Sequence, residues 1–505
     1  MDNLQLLFHG LQTALSFQNL ISAFFGALIG LVVGAMPGIG SLTGVALLLP
    51  LTFKMNPTTA IIGLASLYYS NMYGGSFSAI LLNIPGDSPA VMTALDGYPL
   101  ARAGKAGTAL STAIISSFIG GTIGIIILTI SGPILADWGL AFGPAELTLL
   151  ILFAMTSIGW LLGEKPSAGL VATALGIMLA TIGVDKALGQ ERFSFGNINL
   201  LSGVSFIPLV IGVFGFSQVI DMVVNRKHYQ STAFKKVTIR ESILNKEEMR
   251  RITPTITRGG LLGTIVGVMP GAGATAAAFI SYIMEKRIGK NREMVGKGVV
   301  EGVAASESAN NAAAAGAFEP LLTLGIPGGG TTAVLLGGLM MWGLRPGPLL
   351  FKENPDFVWG LIGSMYIGNI ICLLIAFLCI PLMMKVIKVP SSVLIPIISV
   401  VCIVGAYTFN NNLFDVYLMI GAGVFAYFMG LAKIPAAPLL LAFVLTPMLE
   451  SYARQAFDIS NGSLGVFAGS KIAVSLLVLT VALCLAPLVM KWVKKKQPAS
   501  SKATI

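Results

Sequence analysis

Charge is scarce in this chain: of 505 residues, 11% are Asp, Glu, Lys or Arg, against 55% that are hydrophobic. So little polarity cannot clothe a soluble fold of this size, which excludes a soluble protein and leaves a polytopic membrane protein. Histidine is reduced to His9 and His228, both isolated. The four cysteines, Cys372, Cys379, Cys402 and Cys484, lie in apolar stretches without metal-ligand or redox spacing and read as packing residues. A structural metal site is therefore not expected. No P-loop, HExxH, GxSxG or kinase signature occurs, so neither ATP hydrolysis nor another enzymatic activity is expected. Lysine and arginine are missing altogether before Lys54. The N-terminus MDNLQLLFHG thus lacks the basic region of a cleavable signal, and the flanks of this segment read as periplasmic.

Glycine, by contrast, is abundant and patterned. Residues 26–40, GALIGLVVGAMPGIG, recur at 259–273 as GGLLGTIVGVMPGAG, with nine of fifteen positions identical. Each copy spaces its glycines by four, at Gly26, Gly30, Gly34 and Gly38 and at Gly259, Gly263, Gly267 and Gly271. That spacing places them on one helix face, where a second backbone can come close. Pro37 and Pro270 then remove an amide donor and clash with the preceding turn, so each helix is predicted to break at MPGxG. A single such motif reads as tight packing with a kink. Two copies in corresponding places favour paired discontinuous helices around a binding site.

The net charge of +10 asks which loops carry it. Residues 226–258 hold nine Lys and Arg against three acids, which makes them a cytoplasmic linker between halves. Positive clusters on both sides of 259–284 predict a re-entrant hairpin entering from the cytoplasm. Its first-half counterpart, bare of positive charge, is predicted to enter from the periplasm, and opposite entry means an inverted repeat. The expected fold is an all-α polytopic membrane protein with two re-entrant hairpins and about eleven crossings. The crossings are 57–85, 106–133, 144–163, 167–184, 200–222, 299–326, 357–384, 391–408, 413–430, 435–449 and 466–490. The divisions are an N-terminal interfacial segment 1–23, a first repeat 24–222, the linker 223–256, a second repeat 257–450, a terminal helix 451–491 and a basic tail 492–505. Lys186, Arg192, Arg345 and Arg454 fall outside in this scheme, against the rule.

In each half a polar-centred span follows the break and ends in Ile-Pro-Gly, and the two read as a second matched pair. The first carries Ser70, Asn71, Tyr73, Gly74, Gly75 and Ser76 and reaches Asn83, Pro85 and Gly86. The second carries Ser306, Glu307, Asn310 and Asn311 and reaches Pro327 and Gly328. A carboxylate in the middle of an apolar helix costs about 2.5–3.5 kcal/mol on insertion scales, so Glu307 marks a function. Glu307, Asn310 and Asn311 share one helix face. Amides and hydroxyls of these spans and of the breaks (Gly38, Gly40, Ser41 and Thr43; Gly271, Gly273 and Thr275) are candidates to hold carboxylates at half-helix N-termini. Asn71, Glu307 and Asn310 are candidates for a sodium ion. The same Asn and Ser side chains equally suit interhelical hydrogen bonding, and the residues alone leave both roles open. Asp87, Asp96, Arg102 and Lys105 read as loop charges beside the first span, within DGYPLARAGKAG for the last three.

At these motifs the chain resembles the large membrane subunit of the tripartite tricarboxylate transporters, the TctA family. The match is carried by MPGIGSLTGVALLLPLTF from Met36, YGGSFSAILLNIPGDSPAVMTALDGYPLARAGKAG from Tyr73, MPGAGATAAAFISYIMEKR from Met269, and GKGVVEGVAASESANNAAAAGAFEPLLTLGIPGGGTTAVLLGG from Gly296. The resemblance implies a bacterial inner-membrane secondary transporter, with its N-terminus periplasmic and its C-terminus cytoplasmic on the charge reading. It implies a sodium or proton gradient as driving force, no other cofactor and no nucleic acid. The implied partners are a small four-helix membrane subunit, a periplasmic solute-binding protein and a small carboxylate substrate such as citrate. Ser306 stands where the family's pattern has proline. An ion channel or receptor-like scaffold is the alternative class; a channel needs a continuous polar pore, whereas the polar residues here gather in two patches. An intramembrane enzyme would need a nucleophile and base, and the nearest second acid to Glu307 is Glu319, three turns on.

Overall fold

A computed structural model describes residues 3–36, 39–161, 166–185, 188–225, 244–386, 389 and 391–496. Pro37, Gly38, Lys186, most of the basic linker and the end of the tail lie outside the described residues. Regular structure among the described residues is helical, apart from Gly183–Val184 paired antiparallel with Glu191–Arg192. Among the described residues, seven helices are long and apolar enough to cross a membrane: Phe17–Ala35, Ala90–Gly139, Phe206–Val224, Pro355–Leu378, Ser392–Asn410, Leu413–Leu431 and Ala436–Ile459. The other expected crossings have helices of a different kind. Pro144–Ser157, Ser167–Ala180 and Lys471–Leu483 are shorter apolar helices. Pro57–Leu82 and Val300–Gly316 carry the polar centres and are wrapped by protein, with every residue of the latter buried.

The glycine strings do what their spacing predicts. A methyl on Gly26, Gly30 or Gly34 of Phe17–Ala35 would run into the carbonyls of Gly63, Leu67 and Asn71 on Pro57–Leu82. In the second half, Gly263 and Gly267 of Lys246–Val268 lie in the same way on the carbonyls of Ala309 and Ala313. Each string then ends in a break. Met269 is extended, Gly271 takes φ +83° and Gly273 φ +63°, and the chain returns as Gly273–Ile288. Positive φ is cheap for glycine alone, which is why the turn is built from it. The return is antiparallel: Arg258 Nη2 on the outgoing helix lies 2.6 Å from Glu285 Oε2 on the returning one. The two arms therefore run side by side in opposite directions.

The stretch DGYPLARAGKAG is not the expected loop. Ala90–Leu100 is helix, a π-helical turn at Ala101–Lys105 kinks at Gly104 (φ +82°), and Ala106–Gly139 continues. It is held in place because Asp96 is fully buried and accepts hydrogen bonds from the amides of Gly296, Gly298 and Val299 and from the Tyr282 hydroxyl. The halves interlock. Gly120 and Gly124 of Ala106–Gly139 face Ser308 and Ala312 of the second half, and Gly368 of Pro355–Leu378 faces Ser66 of the first. Asn369 Nδ2 donates to the Phe118 carbonyl (2.9 Å) and the Thr122 hydroxyl (3.0 Å). The N-terminal helix Asn3–Ala14 packs on Pro355–Leu378, with Gly10 against the Trp359 carbonyl.

Arg192 and Arg454, which broke the charge rule, are paired. Arg192 reaches Glu450 at 2.9 Å, and Arg454 reaches Asp185 at 2.5 Å and Glu450 at 2.6 Å. Two arginines and two carboxylates cancel, so the cluster puts little net charge on its side.

Candidate functional site

In each half the second break closes on the first. Gly86 lies against the Gly34 carbonyl, and the Gly328 carbonyl accepts from the amide of Gly271 at 3.0 Å. A methyl on Gly328 would stand 2.6 Å from the Gly267 carbonyl, repeating the contact of the first half. The polar spans also end alike, in left-handed residues: Asn83 at φ 58° and Gly325 at φ 70°. Asn83 is exposed and serves there as a helix C-cap, which accounts for it without a ligand.

The breaks bring helix starts together. The hydroxyl of Ser41, the first residue of Ser41–Thr52, lies 3.0 Å from that of Thr331, the second residue of Gly330–Met341. Helix N-termini carry partial positive charge and free amides, so this junction favours an anion. One of these starts is already served. Asp87 Oδ2 accepts from the Ser41 amide at 2.9 Å, and a methyl on Gly40 would stand 2.8 Å from Asp87 Oδ1. Asp87, read from sequence as a loop charge, is thus a helix cap. The second half has no such acid. Gly273–Ile288 starts without a side-chain cap, and Gly330–Met341 is capped by the hydroxyl of its own Thr332. Thr43 is buried and donates to the Phe214 carbonyl at 3.4 Å, whereas Thr275 is exposed. Pro327 is buried and Pro85 half-buried.

Glu307 is fully buried where the halves meet. Its carboxylate accepts from the hydroxyl of Thr93 and from that of Ser117 at 2.9 Å, and Asn310 is within hydrogen-bonding reach. The Thr93 hydroxyl also lies 2.8 Å from that of Ser306. Ser306 bonds back to the Val303 carbonyl at 3.1 Å, and Val300–Gly316 runs through it without interruption. Serine at this position lets the helix keep its amide donor and adds a hydroxyl near Glu307 through Thr93. Thr93 and Ser117 come from the first half, so the site is completed across the duplication.

The two polar spans also carry buried polar groups without partners. The Tyr69 hydroxyl, both amide atoms of Asn71 and of Asn311, and Asn310 Oδ1 are buried and make no hydrogen bond. Ser111 and Ser116, on the helix that carries Ser117, are in the same state. Leaving a buried polar group unsatisfied costs about 1–3 kcal/mol, so a concentration of them is what a site built for a polar ligand looks like. The two spans touch: the rings of Tyr68 and Tyr69 lie 6.2 and 6.0 Å from that of Phe318. Tyr73 is committed to Asn369 at 2.9 Å, and Ser76 bonds to the Tyr73 carbonyl at 2.7 Å. Gly74 and Gly75 are contact points, facing the Leu31 carbonyl and the backbone of Asp87.

The two spans correspond in their backbone contacts, but their polar side chains do not stand at corresponding positions. Gly34 lies on Asn71 and Gly267 on Ala313, so Asn71 and Ala313 hold corresponding places while Glu307 stands nearly two turns earlier. The duplication preserved the backbone contacts and let the side chains diverge. Thr93, Ser117 and Thr331 escaped the reading of the sequence, and Asp96 was read as a loop charge. The hydroxyl run Ser111, Thr112, Ser116 and Ser117 inside an apolar helix was a legible signal for part of them.

Residues 20–441 match the tripartite tricarboxylate transporter TctA family. The chain belongs to that family. The TctA match spans both glycine-proline breaks and both polar spans, and it makes the protein a membrane subunit of a tricarboxylate transporter rather than an enzyme. Two Agrobacterium vitis proteins are similar. An uncharacterized 52.8 kDa protein in the TAR-I ttuC′ 3′ region is 41% identical over 490 residues, 95% of each chain. An uncharacterized protein in the TAR-II ttuC′ 3′ region is 44% identical over 215 residues, 43% of this chain and 89% of that one. No solved structure matches.

Proposed function

We propose that this TctA-family chain is the large transmembrane subunit of a binding-protein-dependent secondary transporter that imports tricarboxylates or related small carboxylates. Its driving force is a sodium or proton gradient. The observation that carries this reading is the set of unpartnered buried amide groups at Asn71, Asn310 and Asn311 on the two polar spans, one of which carries the buried Glu307. Glu307, Asn310 and the surrounding hydroxyls form an oxygen-rich set suited to a proton or a small hard cation. The substrate carboxylates are held by backbone amides at helix starts, chiefly those of the second half, because Asp87 occupies the start of Ser41–Thr52. The repeats are inverted in the bacterial inner membrane, the N-terminus periplasmic and the C-terminus cytoplasmic. A small four-helix membrane subunit and a periplasmic solute-binding protein complete the system, and a substrate-holding part moves against a scaffold.

Uptake of labelled citrate and other carboxylates into proteoliposomes containing the three subunits tests this. Accumulation is expected only when the binding protein is present and a sodium or pH gradient is imposed. Equilibration without accumulation under every gradient would identify a channel instead.

A further inference from the structure

Another buried acid lies outside the site described above. Glu319, on the short helix Phe318–Leu324, is 2% exposed, and its Oε2 has no hydrogen-bond partner. Its Oε1 lies 2.5 Å from the hydroxyl of Ser131, on Ala106–Gly139 of the other half. Ser131 Oγ lies also 2.6 Å from the Ile127 carbonyl. One hydroxyl hydrogen cannot serve both oxygens, and a carbonyl has none to offer. Either Ser131 leaves the short contact to Ile127 unserved, or the hydrogen between Ser131 and Glu319 belongs to Glu319.

The same helix shows which. Thr122 gives its hydrogen to the Phe118 carbonyl at 2.7 Å and accepts from Asn369 Nδ2 at 3.0 Å. Thr129 lies 2.7 Å from the Ile125 carbonyl and 2.8 Å from the Tyr366 hydroxyl, a group able to donate. At both positions the hydroxyl bonds back one turn and has a donor opposite. Ser131 follows the pattern if Glu319 is a carboxylic acid. No ion pair includes Glu319 among the described residues. Of the titratable groups on elements packed against its helix, Asp137, Arg345, Lys352 and Glu353 are exposed, as are Lys246, Glu247 and Arg250 at the far end of Lys246–Val268, where Glu248 bonds with Asn245; Arg258 is paired with Glu285, and Glu301 with Arg251. Glu307 faces Thr93 and Ser117. Nothing offers Glu319 a compensating positive charge, and an anion with one bare oxygen in such a place is strongly penalised.

We infer that Glu319 is a proton-binding site, protonated in this conformation and donating to Ser131, and that its proton is exchanged with water as the two halves move during transport. This rests on the transporter reading for the exchange, though not for the protonation. Balance is simple: a proton enters from water on one side, is carried as the neutral acid, and leaves to water on the other. Because Ser131 and Glu319 belong to different halves, any displacement of one against the other removes the acceptor and opens the acid.

Infrared difference spectroscopy of the purified chain at neutral pH, wild type against Glu319→Gln, tests the protonation. A carboxylic-acid carbonyl band is expected in the wild type and lost in the variant; an unchanged acid region overturns the assignment. Should Glu319→Gln fold poorly, Ser131→Ala serves instead. Losing the acceptor should shift that band upward, and an unshifted band overturns the pairing. In proteoliposomes, Glu319→Gln, which keeps a donor toward Ser131, should retain substrate counterflow and lose the pH-gradient-driven component of uptake. Unaltered pH dependence would overturn the exchange. If the wild type accumulates no substrate under any gradient, the transporter reading fails while the infrared result stands by itself.

Discussion

The hydroxyl of Ser41 lies 3.0 Å from that of Thr331, 290 positions later in the chain. The contact joins the start of a helix from one half to the start of a helix from the other, and the positive ends of two half-helices thereby face one region. It also shows an asymmetry, since Asp87 already neutralises the first of them.

Asp87→Asn should keep the hydrogen bond to the Ser41 amide while removing the negative charge. A charge at a helix terminus is worth about 0.3–1 kcal/mol, so the apparent KM for an anionic substrate should fall by a factor of about 2–5. The effect should shrink with added salt. A KM that rises, or does not move, would place the substrate away from this junction.

Glu307→Gln removes an intramembrane charge and should leave the protein folded. Uptake should lose or change its dependence on the sodium or pH gradient, and Thr93→Val with Ser117→Ala should weaken that dependence in the same direction, because both hydroxyls donate to the carboxylate. Ion dependence indistinguishable from wild type would make Glu307 a structural residue.

The Arg258–Glu285 pair predicts that both arms of the second hairpin open on one face of the membrane. Thr257 and Lys286 are exposed near the two ends and outside the pair. Single cysteines at these positions, on a cysteine-free background, should both react with an impermeant maleimide from the cytoplasm. Labelling from opposite sides would turn the hairpin into a crossing helix.

Gly34→Ala drives a methyl into the Asn71 carbonyl, whereas Gly421→Ala adds one where nothing lies within 4 Å. The first should destabilise by about 1–3 kcal/mol, as overpacking does. The second should be neutral or gain up to about 1 kcal/mol through helix propensity. Thermal unfolding in one detergent, at matched concentration, compares them directly. Equal midpoints would mean that the glycine face is not a packing face.

Asp96 gathers three backbone amides and the Tyr282 hydroxyl from the other half. Asp96→Asn replaces an acceptor oxygen by a donor amide. Hydrogen bonds to a charged group contribute about 1.5–3 kcal/mol, so a loss of at least that size is expected. Proteolysis should then cut first around Gly296–Gly298, the segment released; unchanged protease resistance there would show that Asp96 does not hold it.

Consecutive residues determined a good deal of this protein. The duplicated glycine string, the ends of the two glycine helices at Ala35 and Val268, the antiparallel return at Gly271 and Gly273, and the placing of Glu307 within a helix all follow from patterns within a few helical turns, where helix geometry ties position in the chain to position on a face. Tertiary structure decided what those patterns meet. Asp87 and Asp96 look alike in sequence as charges beside a polar span, yet one caps Ser41 and the other clamps Gly296, Gly298 and Val299. Thr93 and Ser117 reach Glu307 from more than 180 positions away. The sequence matched the two polar spans by their Ile-Pro-Gly ends; packing shows that Asn71 corresponds to Ala313, because close backbone contact at Gly34 and Gly267 sets the register while no local rule constrains which side chains line the space left between the halves.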